Sequence, residues 1–235
     1  MAVPWGRSVR ALAAACVLVA TATASGCGSG SSSHAATSSS TGSTPAPTST
    51  TTTPVRHGPI HVTFVGDSVP ASIDYVPQAR KELDRGLRVR LDLKVCRRLV
   101  APSCPYDGST PSTALEAIRG YGSKLGNVLI VDVGYNDYSG TYRDQMREVI
   151  KQADAQGVTG IVWVTMRQAR TSYDWTNHVI KTEARNWPNV SVADWNVASK
   201  GKPWFGSDGL HLDDAGADHL ASFLRPYIYR AAQAK

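Results

Sequence analysis

The chain has 235 residues, 42% of them hydrophobic, which is enough for one core but not for several. Its formal net charge is +6. The basic residues Arg80, Lys81, Arg85, Arg88, Arg90, Lys94, Arg97 and Arg98 alternate with Leu, Val and Asp, without a basic helix carrying interleaved aromatics. Nucleic acid is therefore not an expected partner, and a mild attraction to anionic lipid or wall polymer is the reading that remains.

Residues 1–26 have the layout of an export signal. Arg7 and Arg10 give a positive start, Ala11–Ala20 a short apolar stretch, and Thr21–Gly26 a run of small residues. The apolar stretch is too short to span a bilayer, which takes about 20 apolar residues. Ala24-Ser25-Gly26-Cys27 resembles a lipobox, with Ala24 where such motifs usually carry Leu. That resemblance implies lipidation of Cys27 and anchoring at the outer face of the cell membrane or in the envelope. An ordinary cleaved signal peptide and a secreted protein are the alternative. Residues 27–57 are almost entirely Ser, Thr, Gly, Ala and Pro after Cys27. They have too little apolar surface to offset ordering entropy and read as a tether.

A folded domain is expected over residues 58–235. Ile60–Val65 is short, apolar and β-branched, and Gly66 ends it. Leu87–Val95 alternates apolar and charged residues. Asn127–Val133 and Gly160–Thr165 are near-continuous apolar runs of the kind buried on both faces of a parallel sheet, and Val190–Ala193 is a fifth short strand. Helices are predicted over Thr113–Leu125, Thr141–Ala155, Asn177–Trp187 and Ala215–Ala232. Residues 70–85 are ambiguous because Pro77 should break or kink a helix there. Strands alternating with helices imply an α/β fold, three layers with a five-stranded, mainly parallel sheet covered on both faces. Sites in such sheets form at the carboxyl ends of the strands. Cys96 and Cys104, in an exported chain, are expected to form one short-loop disulfide.

Three short motifs lie in order: Gly66-Asp67-Ser68, Gly134-Tyr135-Asn136-Asp137 and Asp208-Gly209-Leu210-His211. Singly each is a common turn. Together, two of them at strand ends, they resemble the SGNH, or GDSL, hydrolase superfamily over roughly residues 60–232. The resemblance implies a flavodoxin-like fold and a serine esterase or O-acyltransferase. Ser68 would be the nucleophile, His211 the general base and Asp208 its orienter. Ser68 and Asn136 would supply oxyanion donors. The block after the second strand, Lys94-Val95-Cys96-Arg97-Arg98-Leu99, resembles the Val-Gly-Arg-Gln-type segment of extracellular SGNH domains that act on cell-wall acetyl groups. In that comparison Arg97 takes the Gly position and offers its backbone N–H, with Gly108 as the alternative donor. The disulfide would then pin this loop. Val164-Thr165, Asn177, Ala193-Asp194-Trp195 and Trp204 extend the likeness, with Asp194 and Trp195 structural or lining the substrate. His178 and His219 are read as solvated. No metal-ligand spacing and no Gly-rich phosphate loop occur, so neither metal nor cofactor is implied. The expected substrate is a short-chain ester on a small molecule or glycan in the envelope, acted on by a monomer. A lipase or thioesterase, or a non-catalytic binding module, is the competing reading.

Overall fold

The computed structural model describes residues 58–234. The export signal, Cys27 and the tether lie outside the described residues. Elements alternate as expected: β1 (Ile60–Gly66), α1 (Ser72–Tyr75), α2 (Pro77–Asp84), β2 (Leu87–Leu93), α3 (Ala114–Tyr121), β3 (Val128–Asp132), α4 (Tyr142–Ala155), β4 (Gly160–Val164), α5 (Thr171–Glu183), β5 (Val190–Ala193), α6 (Trp195–Ala198) and α7 (Asp214–Ala231). The sheet has the order β2-β1-β3-β4-β5, and every pairing is parallel.

Side chains alternate across a strand, so each central strand feeds two cores. Val62 and Phe64 of β1, Val128 and Ile130 of β3, and Val162 and Val164 of β4 pack with Leu83 of α2 and Leu220, Leu224 and Ile228 of α7. Leu129, Val131, Ile161 and Trp163 point the other way, onto Ile118 of α3, Met146 and Ile150 of α4 and Ile180 of α5. Each such buried side chain contributes about 1.5–3 kcal/mol. The charged strand β2 is an edge. Its Leu91 and Leu93 cover the first core, while Arg90 donates to the Lys124 carbonyl and Asp92 accepts from Tyr121 Oη.

Two segments differ from the periodicity. Residues 72–84 form two helices, because Pro77 sits in the first turn of α2, where its missing N–H costs nothing. Helix α5 starts at Thr171, six positions before the predicted Asn177. Its polar first turn hides the helix, yet Tyr173 is buried edge-on against Tyr135 at 5.1 Å, and this tertiary contact holds the turn in place.

The sheet order reverses direction at β1, which has β2 on one side and β3 on the other. The crevice beyond the carboxyl ends of β1 and β3 is where such sheets bind ligands. Ser68 follows β1 and Asn136 follows β3.

Candidate active site

The loop after β1 is organised by Asp67. Its carboxylate is fully buried. Oδ1 accepts from the Val69 N–H at 3.1 Å, and Oδ2 from the Gly134 and Tyr135 N–H groups, both at 3.1 Å. One side chain thus ties the β1 and β3 loops together. Burial pushes its pKa up to about 7, against the three N–H donors that favour the charged form. Asp132, the last residue of β3, is also buried and raised well above the ordinary carboxylate range, by desolvation first and the nearby Asp67 second.

Ser68 Oγ lies 3.0 Å from His211 Nε2. His211 Nδ1 lies 2.5 Å from Asp208 Oδ2. With the Nδ1 proton directed at the carboxylate, Nε2 is left free to accept from the hydroxyl. Asp208 Oδ1 accepts from the Leu210 and His211 N–H groups at 2.9 and 3.0 Å, which closes a tight turn. Gly209 makes that turn possible with a φ of +67°. The imidazole hydrogen bond, followed by the two backbone bonds, holds Asp208 down to about 2. The turn is fastened on both sides: Gly206 N–H donates to the His211 carbonyl, and Asp213 caps α7 through Gly216 N–H. The three residues expected to act together are thus brought within hydrogen-bond reach across 143 positions of sequence.

Asn136 Nδ2 donates one of its two hydrogens to the Arg97 carbonyl at 3.2 Å. Asp137, pushed by burial to about 6, accepts the Leu99 N–H with both oxygens, at 3.0 and 3.1 Å. These bonds dock the loop after β2 against the loop after β3.

That loop differs in detail from the sequence reading. The Arg97 N–H, expected to be a free donor, is engaged by the Lys94 carbonyl at 3.3 Å. The Arg97 side chain is a buried anchor instead: it pairs with Asp92 Oδ1 at 2.9 Å and donates to the Ser112 carbonyl at 3.0 Å. The residue with glycine-type backbone is Cys96, one position earlier, at φ +66°. Among the described residues the Cys96 N–H has no acceptor, and neither has the Ser68 N–H. Gly108, the alternative, sits in an exposed turn closed by Tyr106 and Ser109. The signal for Cys96 was the cysteine itself, since the Cys96–Cys104 disulfide is formed and ties the left-handed residue to the following loop.

The remaining residues singled out are structural. Asn177 is buried and clamps both backbone groups of Met166, at 2.8 and 2.7 Å. Asp194 caps α6 and pairs with Lys181. Trp195 is buried and stacks on Trp204. His178 and His219 are exposed.

Such an arrangement suits nucleophilic acyl chemistry: a hydroxyl whose proton can pass to an oriented imidazole, on a residue whose own backbone N–H is unengaged. No protein-family model matches the chain. The O-acetyltransferase OatA of Staphylococcus aureus is 31% identical over 162 residues, covering 68% of this chain and 24% of that protein. The chain thus spans about a quarter of the length of the curated relatives it matches. Among solved structures, a family 3 carbohydrate esterase from Clostridium thermocellum aligns with a TM-score of 0.53 at 16% identity, over 75% of this chain and 98% of that one. A carbohydrate acetylesterase family member from Sinorhizobium meliloti gives 0.57 at 12%, over 74% and 99%. A protein described as a GDSL-like lipase from Bacteroides ovatus gives 0.53 at 15%, over 75% and 54%. The fold is that of the SGNH, or GDSL, hydrolases, and the sequence is related to an O-acetyltransferase.

Proposed function

We propose, on the premise of the SGNH-hydrolase fold, that this chain is an exported serine esterase or O-acyltransferase that cleaves or transfers a short acyl group on a glycan ester. The observation that carries this reading is the continuous chain of hydrogen bonds from Ser68 Oγ through His211 to Asp208 at 3.0 and 2.5 Å.

Ser68 Oγ attacks the ester carbonyl while His211 Nε2 takes its proton. Asp208, ionised and turned toward Nδ1, stabilises the imidazolium that forms. The tetrahedral oxyanion is met by the N–H of Ser68, the N–H of Cys96 and the second hydrogen of Asn136 Nδ2. Donors already fixed in place lose no reorganisation energy when charge develops. The intermediate collapses, His211 protonates the departing alcohol, and the acyl group stays on Ser68. Water or a sugar hydroxyl, deprotonated by His211, then removes it. The relationship to an O-acetyltransferase and the fold likeness to carbohydrate esterases support a sugar ester as substrate. So do Tyr75 and Tyr138, both 70% exposed, on the segments that follow Ser68 and Asn136, since flat exposed rings suit sugar faces. The leader and the lipobox-like Cys27 support lipid anchoring at the outer face of the membrane.

Release of acetate from an acetylated oligosaccharide, compared between the parent chain and Ser68→Ala, tests the reading. Loss of release in the variant is expected; equal rates would sink the catalytic assignment. Adding an unacetylated glycan acceptor and finding acyl transfer above hydrolysis would mark the chain as a transferase.

A further inference from the structure

On the segments that follow β4 and β5 lies a pocket of about 230 Å³ lined by Arg167, Gln168, Asn196, Ser199 and Lys200 among others. Two of these side chains carry positive charge, and no carboxylate lines it. Among the described residues, neither Arg167 nor Lys200 forms an ion pair with an acidic side chain.

The polar groups here are under-used. Arg167 Nη1 and Ser199 Oγ are buried without a hydrogen-bond partner, and Ser199 is only 1% exposed. Asn196 spends its oxygen on the Gln168 N–H at 2.9 Å, which leaves its Nδ2 hydrogens unengaged among the described residues. The Arg167 guanidinium lies over the Phe205 ring, 3.5 Å from its centroid. The ring covers part of the guanidinium, and an arginine held over a ring receives planar anions through the N–H groups that stay uncovered. An anion entering the pocket would meet the positive charges of Arg167 and Lys200 and the unengaged Asn196 amide, with no carboxylate to compete for them.

The pocket is mechanically joined to the triad. Arg167 N–H donates to Tyr135 Oη at 2.7 Å, and Tyr135 immediately precedes Asn136. Phe205 pairs with Leu212, the residue after His211.

We infer that this pocket is a subsite for an anionic group, a carboxylate or phosphate, carried by the glycan whose ester meets Ser68. The inference rests on the esterase reading for its biological sense, but its test does not need turnover. Ser68→Ala protein is titrated with glucuronate, glucose 6-phosphate and glucose, following the backbone amide resonances of Gln168, Asn196 and Lys200. Saturable shifts are expected with one or both anions and not with glucose, and the stronger anion distinguishes carboxylate from phosphate. Lys200→Glu and Arg167→Gln should each weaken that binding about tenfold, the size expected for one charge-assisted hydrogen bond. Lys200 is exposed, so Lys200→Glu keeps the test valid if Arg167→Gln disturbs packing on Phe205. Equal response to glucose and the anions, or unchanged affinity in both variants, overturns the subsite. Such a result would leave the Ser68 assignment standing, whereas failure of the Ser68→Ala ester assay would leave the subsite standing.

Discussion

Asp67→Asn removes one oxygen from the middle of the site and leaves its volume almost unchanged. In the parent chain the two carboxylate oxygens satisfy three buried N–H groups, of Val69, Gly134 and Tyr135. The amide has one oxygen. Turned toward Gly134 and Tyr135, it leaves its own NH₂ facing the Val69 N–H, so two buried donor groups, the Val69 N–H and the amide itself, stand without acceptors. Each costs about 1–3 kcal/mol, giving roughly 2–6 kcal/mol in all. For a domain of this size, at about 2–4 °C per kcal/mol, that lowers Tm by roughly 4–24 °C. Urea unfolding followed by far-UV circular dichroism, across pH, is the assay. Burial raises the folded pKa of Asp67 to about 7, above its ordinary 3.8. The proton-linked stability is therefore fully present below about pH 3.8 and is lost as pH rises through about 7. Asp137, raised to about 6, adds a slope of the same sign. The parent should lose stability from pH 4 to pH 7 and level off above it, and Asp67→Asn should show a shallower decline. A variant as stable as the parent, with the same pH slope, would refute the account of Asp67 as the tie between the two loops.

Further outcomes follow from the site. Asp208→Asn should lower ester turnover by about 10³–10⁴-fold with the fold intact, because the amide no longer selects the imidazole tautomer. Asn136→Ala should lower kcat by about 10²–10³-fold, the usual loss for one oxyanion donor, and an effect confined to KM would reassign it to binding. Reducing Cys96–Cys104 should cost about 2–3 kcal/mol for so short a loop and slow turnover without unfolding; unchanged turnover with both thiols shown free by mass would count against the pinned-loop account. The pair Cys96→Gly with Cys104→Ser should retain more activity than Cys96→Ser with Cys104→Ser, since glycine holds the +66° backbone without strain.

Sheet and site were legible to different depths. Continuous apolar runs marked β3 and β4 because both faces of those strands are buried, and the Gly-Asp-Ser and Asn-Asp motifs fell at strand ends because parallel sheets place their loops there. The start of helix α5 is hidden from local pattern because its first turn is held by the Tyr173–Tyr135 contact, a tertiary effect. The order β2-β1-β3-β4-β5 is likewise a matter of long-range pairing. Asp67 looked like a turn residue, yet it is the buried tie between two loops, a role that depends on donors 67 and 68 positions away. The Arg97 side chain is a buried anchor, while the backbone freedom belongs to Cys96, because the disulfide and not a glycine holds the left-handed turn. The Arg167 pocket left no motif at all, since its members come from the segments after β4 and β5.

The central claim is that Ser68 is the nucleophile, and covalent trapping tests it most directly. The parent chain treated with a fluorophosphonate should gain one adduct mass, mapped by peptide sequencing to Ser68, and His211→Ala should label far more slowly. Labelling at another residue, or ester turnover that persists with Ser68 unmodified, would contradict the account.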